Sequence, residues 1–294
     1  MPDAEAEAIL HSRRVRAEAK ALQARPDYRD LMRDIAQANL DLTKDSDHLG
    51  RVLRDRGSYL IGMVALSFYS TTGELTAGVL ANFCAESGIC SSGRAMALVA
   101  HLRDLGELLP ETEGPAGRGQ RLKPGAALVG LYRDNFYTNL RGLSAVDARG
   151  AEGMALLDNG GTHALLNQLL ISLAAAGEDF RTSPETPLYL FTEHEGALAM
   201  IQDFVASGAR GNRPVLDRVF VSVSALARRH RVSRPHVLKL FKDAQARDLL
   251  TWNAQERLLV FTPSLSAVYE ESLALVFANL LVSVEDLRAQ EPRS

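Results

Sequence analysis

Apolar positions recur at three- and four-residue spacing along most of the chain, which predicts a mainly α protein with only short β pieces. The first forty residues read as two helices broken at Pro26. In the second of these, Leu31, Ile35, Ala38 and Leu42 fall on one face, and that face needs a partner. Residues 43–50 (TKDSDHLG) are polar and read as a connection, Val52 to Tyr69 returns to a helical pattern, and Gly73 ends it. Later, Arg149 to Gly161 is Gly-rich and polar at its end. Thr162 stands where it would cap the helix HALLNQLLISLAAAG, EDFRTSPETP reads as a linker, and Leu188 to Phe191 as a short strand.

Between these stretches one order of elements is written twice. In residues 219–263 the apolar piece Val219, Phe220, Val221 leads to Ser222, the helix VSALARRHR, a turn at Val232 and Ser233, and the helix RPHVLKLFKDAQARD. LLTWNAQERLLVFTP follows, two apolar runs around the polar tip Asn253 to Arg257, which reads as a hairpin. In residues 75–124 Leu75 and Thr76 precede the helix AGVLANFCAES, the turn GICSS, the helix GRAMALVAHLRDLGE and a longer hairpin, LLPETEGPAGRGQRLKP. Laid on each other, Phe83 matches Leu226 and Ile89 matches Val232, Leu108 and Leu109 match Leu249 and Leu250, and Pro124 matches Pro263. An apolar helix follows each proline, Ala126 to Leu140 and Leu265 to Leu281. The expected organisation is N-terminal helices over 1–50, a first unit with its following helix over 51–148, a connecting helix and linker over 149–188, and a second unit with the C-terminal helix over 189–294.

The string LARRHRVSRPHV, from Leu226 to Val237, fits a helix-turn-helix. Val232 plugs the space between the helices, Ser233 caps the second one, and Pro235 falls in its first turn, where the missing N–H costs little. Val237, Leu240, Phe241 and Ala244 form the buried face, leaving Arg234, His236, Lys239 and Lys242 outward. Residues 222–247 hold seven Lys or Arg against Asp243 alone. That is +6 within 26 residues of a chain whose net charge is −3, so the other 268 residues carry −9. A patch so focused draws phosphates. Arg228, Arg229 and Arg231 stand where the first helix would cross the DNA backbone. Arg234, His236 and Lys239 stand where a second helix would reach base edges, where arginine's fork matches guanine O6 and N7. Arg257, near the hairpin tip, suits an adjacent phosphate or the minor groove. The plain alternative is a solvated basic helix face.

This unit, and more loosely the first, resembles the winged helix-turn-helix domain of bacterial transcriptional regulators. The stretch SSGRAMALVAHLRDLGEL is similar to the recognition helix and following strand of the MarR group, through Leu98, Val99, Leu102 and Gly106. The likeness covers about 50 residues in each unit. It implies a winged helix duplicated in one chain on a helical scaffold, a pseudo-dimer where usual members pair as homodimers. Double-stranded DNA is the implied partner.

The first unit is the poorer reader. Its buried face survives (Ala95, Leu98, Val99, Leu102), but its outward face offers Ser91, Ser92, Gly93, Arg94, Met96 and Ala97, and residues 76–103 have a net charge of +1. Its hairpin, with Arg118, Arg121 and Lys123 among glycines, is suited to the backbone or the minor groove. The alternative is a degenerate copy used for packing or for a protein partner.

Composition narrows the remaining classes. At 294 residues with 46% apolar and 23% charged, the chain can bury a core, and length suggests about two domains. The longest apolar runs, Tyr59 to Phe68 and Leu273 to Val284, are shorter than the roughly 20 residues of a spanning helix, so no membrane segment is expected. An acidic start (Asp3, Glu5, Glu7) does not read as a secretory signal, so a cytoplasmic protein is expected. No GxxxxGK[ST], G-x-G-x-x-G, H-E-x-x-H or G-x-S-x-G occurs, so no enzyme and no cofactor are expected. Glu193, His194 and Glu195 read as an acidic helix start rather than a metal site. Cys84 and Cys90 read as small buried hydrophobes, with a redox sensor as the alternative, and they lack the spacing of a zinc site. Tyr132, Phe136 and Tyr137 read as core or interface, where a pocket for an effector would look the same. The function expected is a sequence-specific, non-catalytic DNA-binding regulator of transcription. A replication-initiation or plasmid-maintenance protein and a winged-helix interaction scaffold are the competitors.

Overall fold

The computed structural model describes residues 2–44, 56–111, 117–176 and 185–290. The chain is mainly helical with two small antiparallel sheets. Its residues divide into two units, one formed by Met1–Asp55 and Ala175–Val282, the other by Arg56–Ala174 and Ser283–Ser294.

The first of these begins with α1 (Pro2–Gln23) and α2 (Tyr28–Lys44), separated at Pro26. It continues with α9 (Tyr189–Glu193), α10 (Ala197–Ala206), β3 (Arg218–Phe220), α11 (Val223–Arg229), α12 (Arg234–Ala246), β4 (Leu250–Asn253), β5 (Leu258–Phe261) and α13 (Pro263–Gln290) through Val282. The apolar face of α2 finds its partner in α10. Leu31 and Ile35 are buried as their spacing predicts, but Met32, Ala36 and Leu40 complete the face, and Ala38 and Leu42 are only half-buried. The stripe is rotated because Arg33, on that flank, is itself buried. Its guanidinium reaches Asp30 at 2.9 Å and the carbonyls of Arg213 and Pro214 at 2.8 and 3.1 Å, pinning the loop before β3. The Glu270 carboxylate on α13 ties down the same loop, accepting from Val215 N at 3.1 Å, Ser266 Oγ at 3.1 Å and Arg29 Nε at 3.0 Å. By length and composition α13 is apolar enough to cross a membrane, a feature that run length alone does not expose. Over its most apolar eighteen residues 56% is buried, and the buried positions along α13 include Ser266, Glu270, Asn279 and Ser283.

The sheet of this unit has the order β3-β5-β4, with Val219 opposite Leu259 and Leu250 opposite Phe261. Phe204 of α10, Phe241 of α12, Trp252 and Phe261 pack as a chain of rings with neighbouring centroids 5.2 to 6.3 Å apart, which fixes α12 against the sheet. Leu188 to Phe191 is not a strand. Leu188 O accepts the amides of Phe191 and Thr192, and one helical turn buries Leu188, Leu190 and Phe191 together. Nor do Glu193 to Glu195 open a helix: Glu193 ends α9, and Gly196, at φ 72°, makes the left-handed step before α10.

The other unit contains α3 (Arg56–Thr72), α4 (Ala77–Glu86), α5 (Ser92–Asp104), β1 (Leu108–Pro110), β2 (Leu122–Pro124), α6 (Ala126–Leu143), α7 (Ala148–Asp158), α8 (Thr162–Ala176) and the end of α13. Of the polar connection read over 43–50, Thr43 and Lys44 instead end α2, while residues 45–55, with the predicted start of α3, lie outside the described residues, as do the hairpin tip at 112–116 and most of the linker after α8. Tyr132 and Phe136 are core residues, the Tyr132 hydroxyl donating to Tyr59 O at 2.6 Å, while Tyr137 is half-buried beside Arg133. The Gly-rich stretch after Ala148 is helical. A Cβ on Gly150 would stand 2.4 Å from Ser144 N, and one on Gly153 would stand 2.8 Å from Leu140 Cδ2, so these glycines let α7 lie against α6. Thr162 does not cap α8 from outside but is its first residue, buried.

The two repeated stretches share backbone details. Ser87 N bonds Phe83 O and His230 N bonds Leu226 O, while Ile89 N bonds Cys84 O and Val232 N bonds Ala227 O, all between 2.9 and 3.0 Å. Glu107 N bonds Leu102 O as Leu249 N bonds Ala244 O, and Gly125 N bonds Glu107 O as Thr262 N bonds Leu249 O. The matches of Phe83 with Leu226 and Ile89 with Val232 coincide with this pattern. The other three shift: Leu108, opposite Pro124, corresponds to Leu250, opposite Phe261, so Leu109 moves with it and Pro124 falls at Phe261 rather than Pro263. The two prolines are therefore unrelated in role. Pro124 ends a strand, whereas Pro263 opens a helix where a missing N–H is harmless.

Candidate nucleic-acid interface

Helix α11 starts at Ser222, whose hydroxyl accepts Ala225 N at 3.3 Å, and inserts Leu226 and Ala227 into the core. Its end passes through Arg231, a non-glycine residue at φ 54°. Val232 is half-buried at the turn, close enough to Gly196 that a Cβ there would lie 3.3 Å from Val232 Cγ1. Ser233 then caps α12 by accepting His236 N at 3.2 Å, and Pro235 sits in the first turn. Val237, Leu240, Phe241 and Ala244 are each at most 1% exposed, so the opposite face of α12 is the one that solvent meets.

The predicted contact residues do not all end in the same state. Arg228, Arg234 and Lys242 are exposed and make no ion pair with any described residue; Arg257, exposed at φ 54° before β5, is likewise outside any ion pair there. Arg231 is exposed on the same turn. Ser233 is exposed, but its hydroxyl is engaged as the cap. Lys239 is paired with Asp243 one turn along α12, and His236 is half-buried with Nε2 2.9 Å from Glu195 O, so it donates there.

Arg229 forms an ion pair with Asp203 of α10, a partner that the count of charges within residues 222–247 leaves out. Asp203 also contacts His230 Nε2 at 3.0 Å. Burial works to raise the Asp203 carboxyl, but the hydrogen bonds from His230 and Arg229, with their charge, outweigh it and hold the group below its ordinary value. Arg229 is thus a brace between α11 and α10 as well as a surface cation. Nearby, burial and then the Lys239 charge hold His194 below its ordinary value, so it adds no charge to the patch at neutral pH.

In the other unit Ser91 caps α5 by accepting Arg94 N at 3.3 Å, and Ser92 and Arg94 are half-buried. Arg121 is taken up by Glu111 at 2.9 Å, Glu74 at 3.6 Å and the carbonyl of Gly73 at 2.8 Å, which raises its pKa, chiefly through the Glu111 hydrogen bond. Arg118 donates to Asn82 at 3.3 Å, and Lys123 is exposed with no ion pair to a described residue. The expected backbone contacts of this hairpin are therefore reduced, because Arg121 is spent on acids that sequence distance hides. Leu98, placed in the buried face by its spacing, is only half-buried. No known protein family, curated protein or solved structure matches the chain.

Proposed function

We propose that the protein is a sequence-specific, non-catalytic DNA-binding regulator of transcription. In this reading 218–261 is a winged helix whose α12 enters the major groove and whose β4–β5 hairpin is the wing, and 76–124 is a second, weaker copy. One observation carries it: α12 is anchored by four buried apolar side chains and a serine cap, while Arg228, Arg234 and Lys242 stand exposed without acidic partners among the described residues. A helix held this firmly has paid its ordering entropy before binding, and cations without intramolecular partners cost nothing to release to phosphates. Arg234, in the first turn of α12, is assigned to base edges; Arg228 and Lys242 to phosphates; Arg257 to the backbone beside the wing; and Arg231, which is engaged within the chain, to a secondary phosphate contact. Arg229, Lys239 and His236 must first leave Asp203, Asp243 and Glu195 O, so they are secondary contacts.

Selection of bound fragments from a random duplex library at physiological salt tests the reading. An enriched motif, lost on Arg234→Ala, is expected; binding without any preferred sequence, or none, overturns it.

A further inference from the structure

Cys84 and Cys90 meet in the turn between α4 and α5. Cys84 is fully buried on α4, its carbonyl accepts the amides of Ile89 at 3.0 Å and Cys90 at 3.3 Å, and the two side chains lie within hydrogen-bonding reach. Neither is in a disulfide, and Cys90 is half-buried. The matching turn between α11 and α12 shows what is unusual here. Cys84 corresponds to Ala227 and Ile89 to Val232, through the same amide-to-carbonyl bond, and the next residue there, Ser233, is already the helix cap. Before the equivalent cap Ser91 the chain carries one residue more, and that residue is Cys90. Gly88, at φ 71° with open space around it, gives this turn latitude to adjust.

We propose that Cys84 and Cys90 form a redox modification site, oxidised by a peroxide to an intramolecular disulfide and restored by thiols. The Cys90 thiolate attacks one peroxide oxygen and the O–O bond breaks; the leaving hydroxide takes up a proton, giving a sulfenic acid and water. The Cys84 sulfur then attacks the Cys90 sulfur, the S–O bond breaks, and the hydroxyl leaves as a second water with the Cys84 proton. Two electrons pass from the cysteine pair to one peroxide. The order of attack follows from the surroundings: burial pushes the Cys84 thiol up to about 12, so the more accessible Cys90 meets the oxidant and Cys84 resolves. Reduction by attack at Cys90 must expel Cys84 as a thiolate in an apolar site, a poor leaving group, so the disulfide opens slowly once made. The bond would staple the end of α4 to the residue before the α5 cap.

The test treats the full chain with hydrogen peroxide, blocks it with N-ethylmaleimide under denaturing conditions and reads intact mass and non-reducing peptide maps. The expected product is lighter by two hydrogens, carries no maleimide, links Cys84 to Cys90, and regains both adducts after dithiothreitol. Cys90→Ser should abolish it, and Cys84→Ala should leave Cys90 as sulfenic or sulfinic acid. Wild-type protein with Cys90 over-oxidised beside an intact Cys84 thiol, with intermolecular disulfides, or with both thiols unreacted overturns the proposal. The wild-type readout stands even if Cys84→Ala folds poorly. No nucleic acid enters the experiment, so its outcome is separate from that of the DNA reading.

Discussion

Gly88 and Arg231 occupy the same left-handed backbone position at the ends of corresponding helices, with φ of 71° and 54°, each followed by a residue whose amide bonds the carbonyl five positions back. Glycine adopts this conformation freely, whereas an L-residue there costs about 1 to 2 kcal/mol. Arg231→Gly should therefore stabilise the protein by about 0.5 to 1 kcal/mol once glycine's greater unfolded-state freedom is subtracted, while reducing the salt slope of DNA binding by about 1. Gly88→Ala, which meets no atom within 4 Å, should cost about 1 kcal/mol through backbone strain alone. Urea unfolding of the two variants checks both signs.

Asp203 links α10 to both Arg229 and His230. Its folded-state value lies below the ordinary 3.8, so the stabilisation is fully present above that value and is lost as pH falls through the lower folded one. Asp203→Asn should destabilise by about 1 to 3 kcal/mol at neutral pH, because the carboxylate is buried while Arg229 remains about half-exposed. It should also flatten the loss of stability in the acid limb below about pH 4. Unfolding midpoints measured from pH 2 to 7 decide; an unchanged acid limb would show that the pair contributes little.

Arg234 and Arg228 are expected to fail differently. Arg234→Ala should cost about 1 to 3 kcal/mol on the selected site and relax preference at one base pair, whereas Arg228→Ala should weaken binding to all sequences alike and lower the salt slope by about 1. Titrations of cognate and scrambled duplexes at several salt concentrations separate the two. If Arg234→Ala also weakens all sequences alike, Arg234 does not read bases.

Gly150 and Gly130 give opposite outcomes for one substitution. An alanine at Gly150 would place its Cβ 2.4 Å from Ser144 N and 2.7 Å from Leu140 O, so α7 must move off α6, and a loss of about 3 kcal/mol or more is expected. Gly130 lies inside α6 with nothing within 4 Å of the added Cβ, so Gly130→Ala should stabilise by about 0.5 to 1 kcal/mol. Thermal unfolding of the pair provides the comparison.

Where an element announces itself through its own residues, sequence and structure agree. The buried stripe Val237, Leu240, Phe241 and Ala244, the cap Ser233, the break at Pro26 and the stop at Gly73 are all local, since a cap bonds three residues away and a stripe repeats every turn. Elements failed where local propensity misleads. The apolar run after Leu188 is as compatible with one helical turn as with a strand, and the Gly-rich stretch at 149–161 left its element unread because Gly150 and Gly153, which allow close approach to α6, weaken its helical signal.

The amino-acid order alone determined a mainly helical chain with short β pieces, one order of elements met twice, and a basic concentration after Leu226, because periodicity, caps and charge density act over a few residues. Tertiary structure alone decided which of those charges are unengaged. Asp203 reaches Arg229 across 26 positions, Glu74 reaches Arg121 across 47, and Glu195 offers His236 a carbonyl across 41, since ion pairs and hydrogen bonds depend on distance in space rather than along the chain.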